Sequence, residues 1–298
     1  MKLNSYITLI RPKQWIKNFF IFAPAFFAGS LSEPKILKLT VIAFVAFCLL
    51  SSSVYVINDI FDVEADRIHP RKKFRPLATG EISITAAIVL TISMLILALL
   101  LTTQLNLSFG LITITYLLIN LLYSFKVKHI VILDVFFISL GFVLRIEAGA
   151  TAIGVSVSSW MMLTTIFLSL FLAISKRRAE LTSNEPGNLD IQRKVLSHYD
   201  VTFADQMNTL AATGTVICYA LYTVSEKAIS TFHSESLIYT TPFVVYGMFR
   251  YLYLLHKKNL GESPELVVTK DISLIINVFL WLIVSLLIIY KHKFPFLR

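Results

Sequence analysis

Between Ile57 and Gly80 the chain reads INDIFDVEADRIHPRKKFRPLATG. Four acids, Asp59, Asp62, Glu64 and Asp66, precede five cations, Arg67, Arg71, Lys72, Lys73 and Arg75. Asp59, Asp62 and Asp66 stand at i, i+3 and i+7, with Asn58 four before Asp62. On a helix these four share a face, and Glu64 points elsewhere. Three carboxylates and an amide on one face repel each other unless a cation sits among them. Mg²⁺ is the natural candidate, because it prefers oxygen ligands and is often held by one or two carboxylates plus substrate phosphates. The plainer alternative is a solvated helix end whose acids pair with Arg67 and the cations after it. The metal reading gains weight because the acids emerge directly from an apolar stretch, where ionisable groups are expensive and usually functional.

Other charged groups sit at comparable places. Arg11 and Lys17 flank Trp15 just before the first apolar run, where an interfacial anchor is the competing role. Tyr123 and Lys128 stand in YSFKVKH, at the exit of another apolar run, with Asp134 placed to orient Lys128. Arg145 and Glu147 lie inside a run and read as a structural pair. In SKRRAEL, Ser175 to Leu181, Lys176 and Glu180 keep an i, i+4 spacing with Arg177 and Arg178 between them. Arg178, one residue farther round the helix, matters less if it faces solvent. Pro186–Gly187 reads as a turn and His69 as a loop residue.

The elements that must position these groups are membrane helices. Of 298 residues 56% are hydrophobic and only 15% are charged, with a mean hydropathy of +0.73. A soluble domain carries about a quarter charged residues. A span needs about 20 mostly apolar residues, and nine candidates appear: 18–31, 37–57, 84–102, 106–124, 130–150, 158–175, 207–225, 237–255 and 272–290. The expected fold is an all-α polytopic bundle of about nine transmembrane helices round a central cavity, one membrane domain over 1–298. Loops 58–83 and 176–206 would cap it. Most of the 27 lysines and arginines fall on loops of the N-terminal side, which places the N-terminus and the charged loops in the cytoplasm; the basic C-terminus is the awkward feature. The net charge of +9 then reflects those loops, anionic ligands and lipid rather than nucleic acid. Cys48 and Cys218 lie in separate apolar runs and imply no disulfide or metal–thiolate site. No cleaved signal peptide is expected.

NDIFDVEAD resembles the first aspartate-rich motif of the UbiA superfamily of intramembrane prenyltransferases. RPLATGEIS, Arg75 to Ser83, looks like the segment that follows it there, and YSFKVKH with Asp134 and Gly141 resembles the family's Tyr/Lys element. Most members carry a second motif, Asp-x-x-x-Asp, which helps bind a second Mg²⁺ on a prenyl diphosphate. Here the matching loop is SKRRAEL, in which one acid has become a lysine. Ammonium and guanidinium groups prefer an anion to a metal.

That departure, with RPKQWIKN (Arg11 to Asn18) and LDVFFISLGFVLRIEAG (Leu133 to Gly149), resembles the decaprenyl-phosphate phosphoribosyltransferase branch of the superfamily. The resemblance implies a Mg²⁺-dependent transferase of the cell inner (plasma) membrane. Its partners would be a polyprenyl phosphate and phosphoribosyl pyrophosphate, and its product a precursor for envelope polysaccharide. Asp59, Asp62 and Asp66 would hold the metal. Lys17, Asn58, Lys73, Arg75, Tyr123, Lys128, Lys176, Arg177 and Glu180 would serve the phosphates. The rivals are an ordinary prenyltransferase acting on an aromatic acceptor, which SKRRAEL disfavours, and an anion-binding transporter. Transporters place their site near the bilayer midplane, whereas these charges collect at span ends.

Overall fold

The computed structural model describes residues 2–69, 72–182, 198–257 and 270–291. Arg71, Lys258, residues 183–197 of the second long loop (Pro186, Gly187, Arg193 and Lys194 among them) and the cations after Lys291 lie outside them. All regular structure in the described residues is helical. The α-helices are α1 (Lys2–Ile10), α2 (Ala23–Phe27), α3 (Pro34–Phe61), α4 (Val63–Ile68), α5 (Ile84–Thr102), α6 (Leu107–Phe125), α7 (Leu133–Ile153), α8 (Ser159–Thr182), α9 (Val201–Thr223), α10 (Glu226–Phe232), α11 (Thr241–Lys257) and α12 (Ile272–Tyr290). Lipid leaves no other open choice, since a helix satisfies its own backbone and an exposed strand edge does not.

The starts of these helices follow from local side chains. Ser83, Asn106, Asp200 and Asp271 each accept a hydrogen bond from a backbone N–H three residues on, at Ala86, Phe109, Phe203 and Leu274. Each thereby satisfies a donor that the first helical turn leaves open.

Among the described residues six helices, α3, α5, α6, α7, α8 and α12, are long and apolar enough to cross a membrane. The chain is therefore an integral membrane protein. Nine such spans were expected, and the three others take different forms. The 18–31 stretch is a 3-10 helix, Pro12–Phe22, followed by the short α2. The 237–255 stretch becomes a 3-10 turn, Ser236–Thr240, and the 17-residue α11. The 207–225 stretch becomes α9, which carries Asp205, Gln206 and Asn208 near its start.

The chain divides into two compact units. The first holds α1, the 3-10 segment, α3 to α6 and the end of α7, Leu144 onward. Its core is Phe47, Phe109 and Tyr116 in aromatic contact, closed by Ala43, Ala46, Ala148 and Ile21. Small residues let backbones approach where no aqueous driving force exists. The extreme case is Gly149, where an added Cβ would stand 2.1 Å from the Ile21 carbonyl oxygen. α3 runs along α5 and also meets α1, α6 and the 3-10 segment.

The second unit holds the start of α7 and α8 to α12. α8 lies along α9, and α11 packs on α9 and α12. Phe171, Tyr251, Leu254 and Ala204 are in its core. On α5, Ile88, Val89, Ile92 and Ile96 are exposed, as befits residues that face lipid rather than protein.

Candidate active site

The acidic segment folds as a helix with one break. α3 ends at Phe61 and α4 begins at Val63, with Asp62 between them at φ −90°, ψ 4°. The Asp62 N–H still donates to the Asn58 carbonyl and the Asp66 N–H to the Asp62 carbonyl, at 2.9 and 2.7 Å. An unbroken helix would set residues seven apart about 10 Å along its axis. Here Asp59 and Asp66, 3% and 2% exposed, reach the same nitrogen. Arg75 Nη1 donates to Asp59 Oδ1 at 3.0 Å and to Asp66 Oδ2 at 2.6 Å. Arg11 Nη2 adds a third bond, 2.6 Å from Asp59 Oδ1, and its guanidinium lies 5.2 Å from the centre of the Tyr55 ring. Arg11 holds φ +53°, an uncommon left-handed backbone for a residue of its size. Glu64 points away and pairs with the exposed Arg67.

The oxygen set fits a hard cation. No three His, Cys, Asp or Glu side chains converge on one point among the described residues. Asp59 and Asp66 do meet at Arg75 Nη1, however, and Oδ1 of Asn58, the residue before Asp59, is buried with no hydrogen-bond partner among the described residues. Two carboxylates and an amide oxygen, with phosphates from a substrate, are what Mg²⁺ commonly takes. Asp62 is half-buried at the helix junction.

The first unit holds a second buried polar group. Arg145, 5% exposed, donates through Nε to Asn18 Oδ1 and through Nη2 to the Tyr116 hydroxyl, both at 2.8 Å. Asn18 Nδ2 in turn donates to Ser51 Oγ and Cys48 Sγ. Glu147 is two positions from Arg145 on α7, a spacing that turns side chains away from each other. The expected Arg145–Glu147 pair therefore gives way to Asn18 and Tyr116 as partners. Lys17, on the 3-10 segment, is half-buried. Lys73 is exposed, its ammonium 5.2 Å from the Phe74 ring centre. Tyr123 is half-buried near the end of α6.

In the second unit SKRRAEL forms the end of α8. Arg177 is almost wholly buried and donates from Nε to Asp134 Oδ2 at 2.7 Å and from Nη1 to Glu180 Oε2 at 2.6 Å. The Tyr199 hydroxyl donates to the other Asp134 oxygen at 2.8 Å and accepts from the Ile132 N–H at 2.8 Å. Burial pushes this hydroxyl above the usual tyrosine range, with the Asp134 charge adding to the shift, so it stays a donor. Asp134 thus gives its oxygens to Arg177 and Tyr199, where the sequence pointed to Lys128. Lys128 stands on a half-buried 3-10 turn, Val127–His129. Lys176 is half-buried on α8.

Arg178 does not face solvent. It is 6% exposed, pairs with Asp205 through Nε and donates to the Leu255 carbonyl at 3.1 Å. The stem of α9 supplies the acid, and His256 lies 3.2 Å from the same Asp205 oxygen. Tyr199, Asp205 and the Arg11–Tyr55 contact were not foreseen. The only sequence signal for them was the rarity of charge in so apolar a chain.

The model of the UbiA prenyltransferase family matches residues 18–283. Decaprenyl-phosphate phosphoribosyltransferase of Mycolicibacterium smegmatis is 38% identical over 227 residues, which cover 75% of this chain and 71% of that one. The protein of the same name from Mycobacterium tuberculosis is 34% identical over 285 residues, 93% of this chain and 91% of its own. A UbiA homolog from Archaeoglobus fulgidus, solved with GPP and Mg²⁺, has the same fold: TM-score 0.71 at 21% identity, over 96% of this chain and 99% of that one. With the family model spanning most of its length, the chain belongs to the UbiA prenyltransferase family.

Proposed function

We propose that the chain moves 5-phosphoribose from phosphoribosyl pyrophosphate to a polyprenyl phosphate, with release of diphosphate. The observation that carries this reading is the 34% identity to a decaprenyl-phosphate phosphoribosyltransferase across 93% of the chain. The end of α8 agrees with it, because Lys176, Arg177 and Arg178 stand there in place of an acidic metal motif.

In the reaction the bond from ribose C1 to the diphosphate breaks, and a bond from C1 to a lipid phosphate oxygen forms. The acceptor is already an anion, so no strong general base is needed. Asp59, Asp62, Asp66 and Asn58 Oδ1 would hold Mg²⁺, which would supply positive charge to the departing diphosphate. Lys17, Lys73, Arg75, Tyr123, Lys128 and Lys176 take the phosphates: one diphosphate and two monophosphates across the pair of substrates. Arg177 acts through its neighbours. Held by Asp134 and Glu180, it fixes the end of α8 and so the direction of Lys176. Catalysis is then positioning plus charge stabilisation. The N-terminus and these charged loops face the cytoplasm at the plasma membrane, following the distribution of basic residues, and the product feeds envelope polysaccharide synthesis.

The test is incubation of purified protein with phosphoribosyl pyrophosphate labelled in the ribose, polyprenyl phosphate and Mg²⁺, followed by lipid extraction. Label enters the lipid phase only with all three present, and diphosphate appears in the water phase in equal amount. Label that stays in water overturns the reading.

A further inference from the structure

The two arginine–carboxylate groups hold their cations in different ways. Arg177 is 1% exposed, uses two nitrogens on two acids, and one of those acids is also held by Tyr199. Arg75 reaches Asp59 and Asp66 through Nη1 alone, with its side chain 26% exposed. Among the described residues its Nε and Nη2 have no partner, and neither do Asp59 Oδ2 and Asp66 Oδ1. The first cation is built in. The second is attached at one atom, beside carboxylate oxygens that remain open.

The backbone under Arg75 is also set for a side chain to move alone. Its N–H donates to the Lys72 carbonyl and its carbonyl accepts from the Thr79 N–H, both at 2.9 Å. Gly80, at φ +78°, closes the turn that follows. The loop backbone is held by its own hydrogen bonds, and the guanidinium is tied to the acids at one nitrogen only.

Charge then sets what happens when a divalent cation arrives. Two buried carboxylates already face Arg11 and Arg75, and buried charge is tolerated only when compensated. Adding two positive charges at the same oxygens overloads the pair. Arg11 and Arg75 are each held by one nitrogen, but Arg11 bonds Asp59 alone and lies on the Tyr55 ring, whereas Arg75 bridges both acids, so a cation that takes both carboxylates displaces Arg75. The geometry points to an exchange: Arg75 is the resident counter-ion of Asp59 and Asp66, and a divalent cation taking those acids releases the Arg75 guanidinium to a diphosphate. Metal and diphosphate therefore favour each other's binding, and such coupling is reciprocal. The acids never stand uncompensated, and the arginine reaches the anion only when the metal is in place. This rests on the metal and diphosphate part of the proposed function, and not on which sugar donor or lipid is used.

The test uses the full chain in detergent with Mn²⁺ as a spin-visible probe and no substrate. Arg75→Gln removes the resident cation and should bind Mn²⁺ about tenfold tighter than wild type, within the usual range of coupling between sites. Arg75→Lys, which keeps a charge, should stay near wild type. Arg67→Gln removes an exposed charge from the same segment and should also change little. Equal affinity in Arg75→Gln and wild type, or an equal rise in Arg67→Gln, overturns the exchange. A second measurement needs no variant. Phenylglyoxal labelling of Arg75, mapped by mass spectrometry, should rise several-fold when Mn²⁺ is added and fall again with inorganic pyrophosphate. Labelling indifferent to Mn²⁺ overturns the proposal. Neither readout involves ribose or lipid. A protein that exchanges Arg75 but transfers no phosphoribose leaves the exchange standing and removes the proposed function, and the converse result does the reverse.

Discussion

Arg177 Nε lies 2.7 Å from Asp134 Oδ2, and both side chains are almost entirely buried, 1% and 0% exposed. A buried pair broken by removing one partner costs about 3–5 kcal/mol, because the other charge is left stranded. Arg177→Leu should therefore lower the melting temperature clearly in detergent. The double variant Arg177→Leu with Asp134→Leu should recover part of the loss. If the single variant melts with wild type, Arg177 is not the internal counter-ion described here.

Lys176 carries the kinetic prediction for the same helix end. A charge-assisted hydrogen bond is worth about 1.5–3 kcal/mol, so Lys176→Ala should lower kcat/KM roughly ten- to a hundredfold with stability little changed. Lys176→Asp should do more damage, since it sets a negative charge against a phosphate. Steady-state kinetics in matched detergent decide it. Wild-type kcat/KM in both variants for both substrates would leave Lys176 an inside-loop anchor.

Asp62 separates metal binding from folding. It is half-buried at the α3–α4 junction, so Asp62→Asn should abolish transfer and leave unfolding close to wild type. Asp59→Asn should lose both, because Arg11 and Arg75 each depend on that carboxylate. Wild-type activity should vanish with chelator and return with Mg²⁺. Full activity in excess chelator would remove the metal from the account.

Tyr199 gives a pH prediction. Its hydroxyl is pushed up in the folded state, chiefly by burial, so the neutral form is favoured on folding. The stability it contributes is present below the unfolded value of about 10 and is lost as pH rises toward the folded value. Tyr199→Phe removes a bond to buried Asp134 and should cost about 1–3 kcal/mol. The gap between the two proteins should be flat through neutral pH and narrow only on the alkaline side. A gap that changes between pH 6 and 8 would contradict this.

The sequence made part of this legible for a physical reason. The i, i+3, i+7 spacing of Asp59, Asp62 and Asp66 is local, and helical periodicity alone puts those residues on one face. What it could not show is the break at Asp62, or that Arg75 would bridge the outer two. Asp134, Arg177 and Tyr199 come from separate segments, and only chain packing brings them together. Arg178 illustrates the limit in the other direction: helix position alone left open whether it faces solvent, and it is buried and paired with Asp205 on α9. The 18–31 stretch is apolar enough to suggest a span. Pro12, Pro24 and the close approach of Ile21 to Gly149 make it a 3-10 segment and a short helix instead.

The central claim is which group moves, and one paired assay reads it directly. The same preparation is given phosphoribosyl pyrophosphate labelled at ribose C1 with unlabelled polyprenyl phosphate, and separately a labelled polyprenyl diphosphate with a phenolic acid, each with Mg²⁺. The account predicts ribose label in the lipid extract from the first mixture and no prenylated phenol from the second. Prenylated phenol from the second, with ribose label left in water in the first, would contradict it.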